Sequence, residues 1–125
     1  MTDRQLTILA ALNLMVAVGA GAFGAHGLKR MLTPELLSVW QTGVLYHLVH
    51  ALGLFVVALL GARYGSPLLS AAGMVMFAGI VLFSGSLYLL SLTGTHWLGA
   101  VTPFGGVAFL ASWGMVALAA YRSQI

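Results

Sequence analysis

The sequence has no cysteine. That removes disulfides, iron–sulfur clusters and thiolate zinc sites. Charge is nearly as scarce: five Lys and Arg stand against two Asp and Glu, 6% of 125 residues. A water-soluble domain carries about 25% charged residues, so too few charges are present to cover an ordinary soluble surface. Disorder needs low hydrophobicity and high charge, and the 61% hydrophobic content excludes it. The pI of 9.8 comes from those few cations, scattered singly or as the pair Lys29-Arg30. No basic stripe exists to neutralise a run of phosphates, so no nucleic-acid partner is expected. Carboxylates are missing from the apolar stretches as well, since Asp3 and Glu35 lie at or outside their edges. That argues against a proton-coupled cation antiporter of the small multidrug-resistance kind.

What remains is apolar, with a mean hydropathy of +1.04. Four stretches approach the ~20 residues that cross ~30 Å of hydrocarbon: about 6–23, 40–62, 67–92 and 103–120. Backbone groups in lipid must be satisfied internally, so these are helices, and the alternation of an outer-membrane barrel is missing. The expected fold is all-α: a polytopic membrane protein, one domain over residues 1–125, built as a four-transmembrane-helix bundle. Thr33-Pro34-Glu35 reads as a helix start and predicts a short extra helix over Pro34–Ser38 that runs into the second span. Ser66-Pro67 and Thr102-Pro103 repeat the cap-plus-proline device, and Thr93-Gly94-Thr95 breaks the third span. Ala20-Gly21-Ala22 loosely resembles a signal-peptide cleavage site, but the first span reads better as a packed helix.

An even number of spans puts both termini on one side, with Arg4, Arg63 and Arg122; Lys29 and Arg30 lie on the other. Three against two favours cytoplasmic termini. Small residues recur in the first span, Ala17, Gly21 and Ala25 with Ala20 and Gly24 beside them, and Gly105 and Gly106 open the last. Such rows let helix backbones approach closely, within one chain or between copies in a homo-oligomer. Asn13, near mid-span, predicts an interhelical hydrogen bond. Trp40, Tyr46, Tyr88 and Trp97 on one side, with Tyr64 and Tyr121 on the other, read as interfacial belts.

The polar side chains gather toward the side away from the termini. His26 ends the first span there and His96 lies in the third loop, while His47 and His50 fall ~10 and ~15 Å along the second span. Gln41, Tyr46, Ser84, Ser86, Tyr88 and Thr102 belong to the same half. His47 and His50 are three apart, hence on one helical face. Ionisable residues in lipid are costly and point to function. With His26 or His96 the pair could bind zinc or copper; it could titrate in a wet pocket; or neutral rings could hydrogen-bond Ser, Tyr or carbonyl groups and fix helix register. Ser84 and Ser86 flank Gly85 without any nucleophile-elbow motif, so the serines are expected to back-bond to their own helix while the glycine makes room for a neighbour.

Four blocks have a familiar order: Gly21-Ala22-Phe23-Gly24-Ala25-His26; Gln41-Thr42-Gly43 with Tyr46-His47 and His50-Ala51-Leu52; Leu82-Phe83-Ser84-Gly85-Ser86-Leu87-Tyr88; and Thr102-Pro103-Phe104-Gly105-Gly106 with Phe109 and Trp113-Gly114. Over nearly the whole chain this resembles the YgdD-type family of small bacterial membrane proteins, a family of unknown function with an animal transmembrane relative. The resemblance implies four transmembrane helices in the bacterial inner membrane and supplies no catalytic residue, ligand or cofactor. His26 and His50 fall in its blocks and His47 matches less closely, which puts the weight on His50 rather than on the pair. The function expected is a binding or accessory protein whose His26, His47, His50, Ser84, Ser86, Tyr88 and Thr102 form a cluster toward the outer leaflet. Its partners would be the bilayer, a second copy or another membrane protein. A small oligomeric transporter or channel, and a metal-dependent membrane enzyme, are the alternatives.

Overall fold

The computed structural model describes residues 1–124. Four long helices carry the chain, each long and apolar enough to cross a membrane: α1 (Asp3–Met31), α2 (Pro34–Tyr64), α3 (Pro67–Thr93) and α4 (Thr102–Arg122). A short 3-10 turn, His96–Ala100, leads into α4. A capping box opens α1: the Gln5 N–H donates to Thr2 Oγ1 and the Thr2 N–H to Gln5 Oε1. Thr33 caps α2 by accepting from the Leu36 N–H, and Ser66 caps α3 by accepting from Leu68. Two helices stop on glycines in the left-handed region, Gly65 after α2 (φ +63°) and Gly94 after α3 (φ +69°), where any side chain would be strained.

Three local expectations change. The helix does not stop at Phe23: α1 runs on to Met31 through a widened π turn at Gly24–Leu28. No proline intervenes before Pro34, and a wide turn accommodates Gly24 and Gly27 without a break. The stretch Pro34–Ser38 is the first turn of α2 rather than a separate helix. Thr102 is not a helix cap; Val101 precedes α4 in helical geometry, and the Phe104 N–H donates to the Val101 carbonyl, so the 3-10 turn supplies the start.

The helices form an open row. α1 packs on α2, α2 on α3 and α3 on α4, and no comparable packing closes α4 back onto α1 among the described residues. Burial follows: 44% of the most apolar window of α2 and of α3 lies inside the protein, against 17% for α1 and 22% for α4. Toward the termini the core is dry, with Leu6, Leu54, Val57, Leu69 and Met76 fully buried. Toward the other side Leu28, Trp40 and Val44 make a smaller cluster.

Glycines set the spacing at the crossings. A Cβ on Gly105 would run into the backbone of Phe83, and one on Gly79 into the Phe109 ring, so α3 and α4 touch almost main chain to main chain. Ala17 is buried, Gly21 sits under Val44 and Gly24 under the Trp40 indole, which donates to the Ala20 carbonyl (2.9 Å). These residues make α1 fit α2. Ala25 is exposed and drops out of the row, because each four-residue step rotates ~40° around a helix. Gly106 likewise does not pack; it lies ~100° round from Gly105 and a Cβ there would find room.

Candidate functional site

Helix geometry sets the depth of each group. Twenty residues, ~30 Å, counted from Arg4, Arg63 and Arg122 reach Gly24, Gly43 and Thr102, so these mark the hydrocarbon edge away from the termini. Tyr46 and His47 lie about one turn inside it, and His50 ~10 Å inside.

His47 is buried where three helices meet. Its Nε2 pairs with Asn13 Oδ1 on α1 (2.9 Å), and its Nδ1 with the Tyr88 hydroxyl on α3 (2.9 Å). The Asn13 amide nitrogen donates to the Leu9 carbonyl, so Oδ1 must accept from His47. The proton is therefore on Nε2, and Nδ1 accepts from Tyr88. The hydrogen bond expected of Asn13 is present.

His50 faces the other way. Its ring stacks on Phe109 of α4, centroids 3.5 Å apart and 8° from parallel. The Trp113 indole N–H donates to its Nε2 (3.1 Å), so the proton is on Nδ1, which donates to the Tyr46 carbonyl (2.8 Å). Two neutral histidines three residues apart thus hold opposite tautomers. The ~60° between them is enough for His47 to meet α1 and α3 while His50 meets α4.

This corrects the paired-histidine reading. The acceptor nitrogen of each ring is already taken by an O–H or N–H donor. His26 is exposed beside Lys29 and Arg30 in an open cleft of ≈ 430 Å³, and His96 is exposed on the 3-10 turn. Among the described residues no three His, Asp or Glu side chains come together as a metal would need, so zinc or copper finds no gathered ligand set.

The hydroxyls are committed too. Ser84, fully buried, does not bond to its own helix; its Oγ donates across to the Gly43 carbonyl of α2 (2.7 Å). The glycine that makes room is Gly43, against Tyr88 and Leu87, and not Gly85, which has open space beside it. Ser86 does back-bond, to the Phe83 carbonyl, and shares a hydrogen bond with Thr102 (2.6 Å). Trp40 and Tyr88 leave the aromatic belt, being turned inward to Ala20 and His47; Trp97 and Tyr121 stay outward at 67% and 88% exposed. No buried side-chain nitrogen or oxygen lacks a partner among the described residues. The residues of the cluster expected from sequence are therefore joined in several separate helix-to-helix ties.

A different feature opens beside it. Between α2 and α4, with Phe83 of α3 behind, lies a groove of ≈ 440 Å³. Tyr46, Phe83, Phe109 and Trp113 supply its aromatic walls, and His50 lies at its floor. Gly106 leaves space along it, while Val107 and Leu110 form the lip toward lipid. Of this set, sequence reading makes only His50 a binding candidate; it assigns Tyr46 to the polar half and the aromatic belt, and Gly106 to helix packing. The available signal was two four-residue aromatic pairs, Tyr46/His50 and Phe109/Trp113, which put two rings on one face of each helix.

A family model described as "Protein of unknown function (DUF423)" matches residues 20–106. The "UPF0382 membrane protein YwdK" of Bacillus subtilis is 58% identical over 116 residues, covering 92% of this chain and 94% of that protein. The "UPF0382 membrane protein SERP0230" of Staphylococcus epidermidis is 47% identical, covering 92% of this chain and 93% of that protein. A Staphylococcus aureus relative, "UPF0382 membrane protein SAUSA300_0565", is 46% identical with the same coverage. No solved structure matches. The order of residues that pointed to a family of small bacterial membrane proteins thus has its counterpart in proteins of similar length that are named membrane proteins, and the chain belongs to this family of unknown function.

Proposed function

We propose that the protein is a non-catalytic accessory protein of the bacterial inner membrane that binds a hydrophobic molecule or segment in the groove between α2 and α4. The observation that carries the reading is the contrast at this groove: it is open toward lipid, while every polar group at its floor is already paired inside the protein. Such a surface recognises shape and apolar area and has no chemistry to perform. With cytoplasmic termini, as the three arginines favour, the groove lies in the outer leaflet.

Transport through one copy has less support. The half toward the termini is filled by Leu6, Leu54, Val57, Leu69 and Met76, all fully buried. Metal-dependent catalysis lacks a ligand set among the described residues.

Photocrosslinking in native membranes tests the binding reading. A photoreactive amino acid at Leu110, on the groove lip, is expected to give one defined adduct by mass spectrometry. The same group at Leu59, 70% exposed elsewhere on the lipid face, is expected to give only a diffuse lipid background. The same background at both positions would sink the proposal.

A further inference from the structure

We infer that the groove is a lipid site that seats one acyl chain of a phospholipid from the leaflet away from the termini. The inference deepens the binding reading above and rests on it.

Length is the first argument. The α4 side of the groove runs from Pro103 to Trp113, ~15 Å along the helix. It begins at the hydrocarbon edge marked by Thr102 and ends near mid-membrane, so its depth is that of one leaflet, about half of ~30 Å. An acyl chain anchored at that surface has the same reach.

Size is the second. A helical segment ~15 Å long and ~10 Å across occupies roughly 1,200 Å³. The groove offers ≈ 440 Å³, about a third of that. It can take a single extended chain lengthwise, whereas a partner helix could insert only side chains.

Polarity is the third. The body of the groove presents ring faces and aliphatic surface, and the Trp113–His50–Tyr46 carbonyl chain closes the floor with its hydrogen bonds satisfied. The lip residue Leu110 is 75% exposed, so the groove opens sideways into lipid and a chain can enter without leaving the bilayer. Near the mouth stands Tyr46, its ring tilted at 39° against Phe83 (centroids 4.4 Å apart); the Tyr46 hydroxyl has no hydrogen-bond partner among the described residues. Side chains on a helix lean toward its N-terminus, which for α2 is the mouth side. There the ester carbonyls of the same lipid supply the acceptor that the phenol lacks.

Trp113 at the deep end provides the readout. The full-length protein carrying Trp97→Phe, reconstituted in phosphatidylcholine vesicles, leaves Trp113 and the shielded Trp40 as emitters; subtracting the Trp113→Phe protein isolates Trp113. The probe is phosphatidylcholine brominated at mid-chain, titrated into the unbrominated lipid. A seated chain gives saturable quenching of Trp113. Gly106→Phe fills the groove, since a Cβ there meets nothing nearer than 4.0 Å. It is expected to raise the brominated fraction needed for half-quenching at least threefold. Gly114→Phe, on an open face of the same helix, is expected to leave it unchanged. If Gly106→Phe fails to fold, Gly106→Val serves with the same expectation at reduced size.

Quenching that rises linearly with brominated lipid and is equal in all variants would overturn the proposal, as would Trp113 emission that bromine never reaches. A phosphatidylglycerol series is expected to give the same half-point; a threefold preference for that anionic headgroup would move recognition off the chain and overturn it as well. A protein adduct at Leu110 with no saturable quenching would overturn the lipid site while leaving the binding reading standing.

Discussion

The two halves of the bundle are held by different means. Toward the termini, α1, α2 and α3 meet through Leu6, Leu54, Val57, Leu69 and Met76, and Leu6 fits directly over Gly73. Toward the far side the same helices are tied by directional bonds: His47 to Asn13 and Tyr88, Ser84 to the Gly43 carbonyl, Trp40 to the Ala20 carbonyl. Lipid tails are as apolar as leucine, so neither half gains from hydrophobic burial as a soluble core would. The termini half depends on fit, which many rotations of a helix can partly satisfy. The far half fixes rotation and register, because each donor has one acceptor in reach. The groove lies in the half whose geometry is fixed.

The comparison breaks most severely at the α3–α4 crossing, which both halves depend on. Gly105→Leu is expected to destabilise by ~3 kcal/mol or more, because its first carbon meets the Phe83 main chain and no rotamer relieves that. Gly114→Leu, with open space around it, should be near neutral. Denaturant titration in mixed micelles, followed by circular dichroism, measures both; equal effects would show that α3 and α4 do not cross at Gly105.

Next comes the dry half. Leu54→Ala is expected to cost ~2–3 kcal/mol by the same titration, from lost contacts and the void left behind. The hydrogen-bonded half should respond less but with a signature of its own. His47→Leu leaves the Asn13 carbonyl oxygen and the Tyr88 hydroxyl without their partner, at ~1–2 kcal/mol. Adding Asn13→Leu should cost less than that substitution alone costs in the native protein, since one of the orphaned groups then disappears. Strict additivity would mean that His47 is not what holds Asn13.

Which parts were legible in the sequence follows from the same physics. Span number and the glycine stops rest on local rules, so Gly94 ended α3 and the caps at Thr33 and Ser66 formed where the residue types indicated. The clustering of polar groups in one half was visible from counting along helices. Their destinations were not, because a ~60° difference in azimuth decides which neighbour a side chain meets, and that depends on the order of the helices in the row. His47 and His50 therefore read as one pair and sit in two interfaces. Ser84 read as a back-bonding serine for the same reason: its acceptor, the Gly43 carbonyl, is 41 residues away in sequence. The groove was hidden more completely, since it exists only because α4 leans on α3 at Gly105 and leaves α2 exposed beside it.

The finest distinction between the halves is at the floor of that groove, where fit and hydrogen bonding act on the same pair of rings. Trp113→Phe keeps an aromatic ring and removes the N–H; His50→Phe keeps the stack on Phe109 and removes the acceptor. Each single change should cost about 1 kcal/mol, and the double mutant should recover ~0.6 kcal/mol of their sum, the size typical of interhelical hydrogen bonds in lipid. A coupling near zero would make the floor a packing contact like those around Leu54, and His50 would then be a ring that fills space. A coupling of that size makes the N–H···N bond the feature that holds α4 against α2 at the groove's closed end. Such a bond would keep the slot at a fixed width, and loosening it should widen the slot before it unfolds the bundle. Trp113→Phe, which leaves the stack intact, should then admit a bulkier branched chain that the native protein excludes.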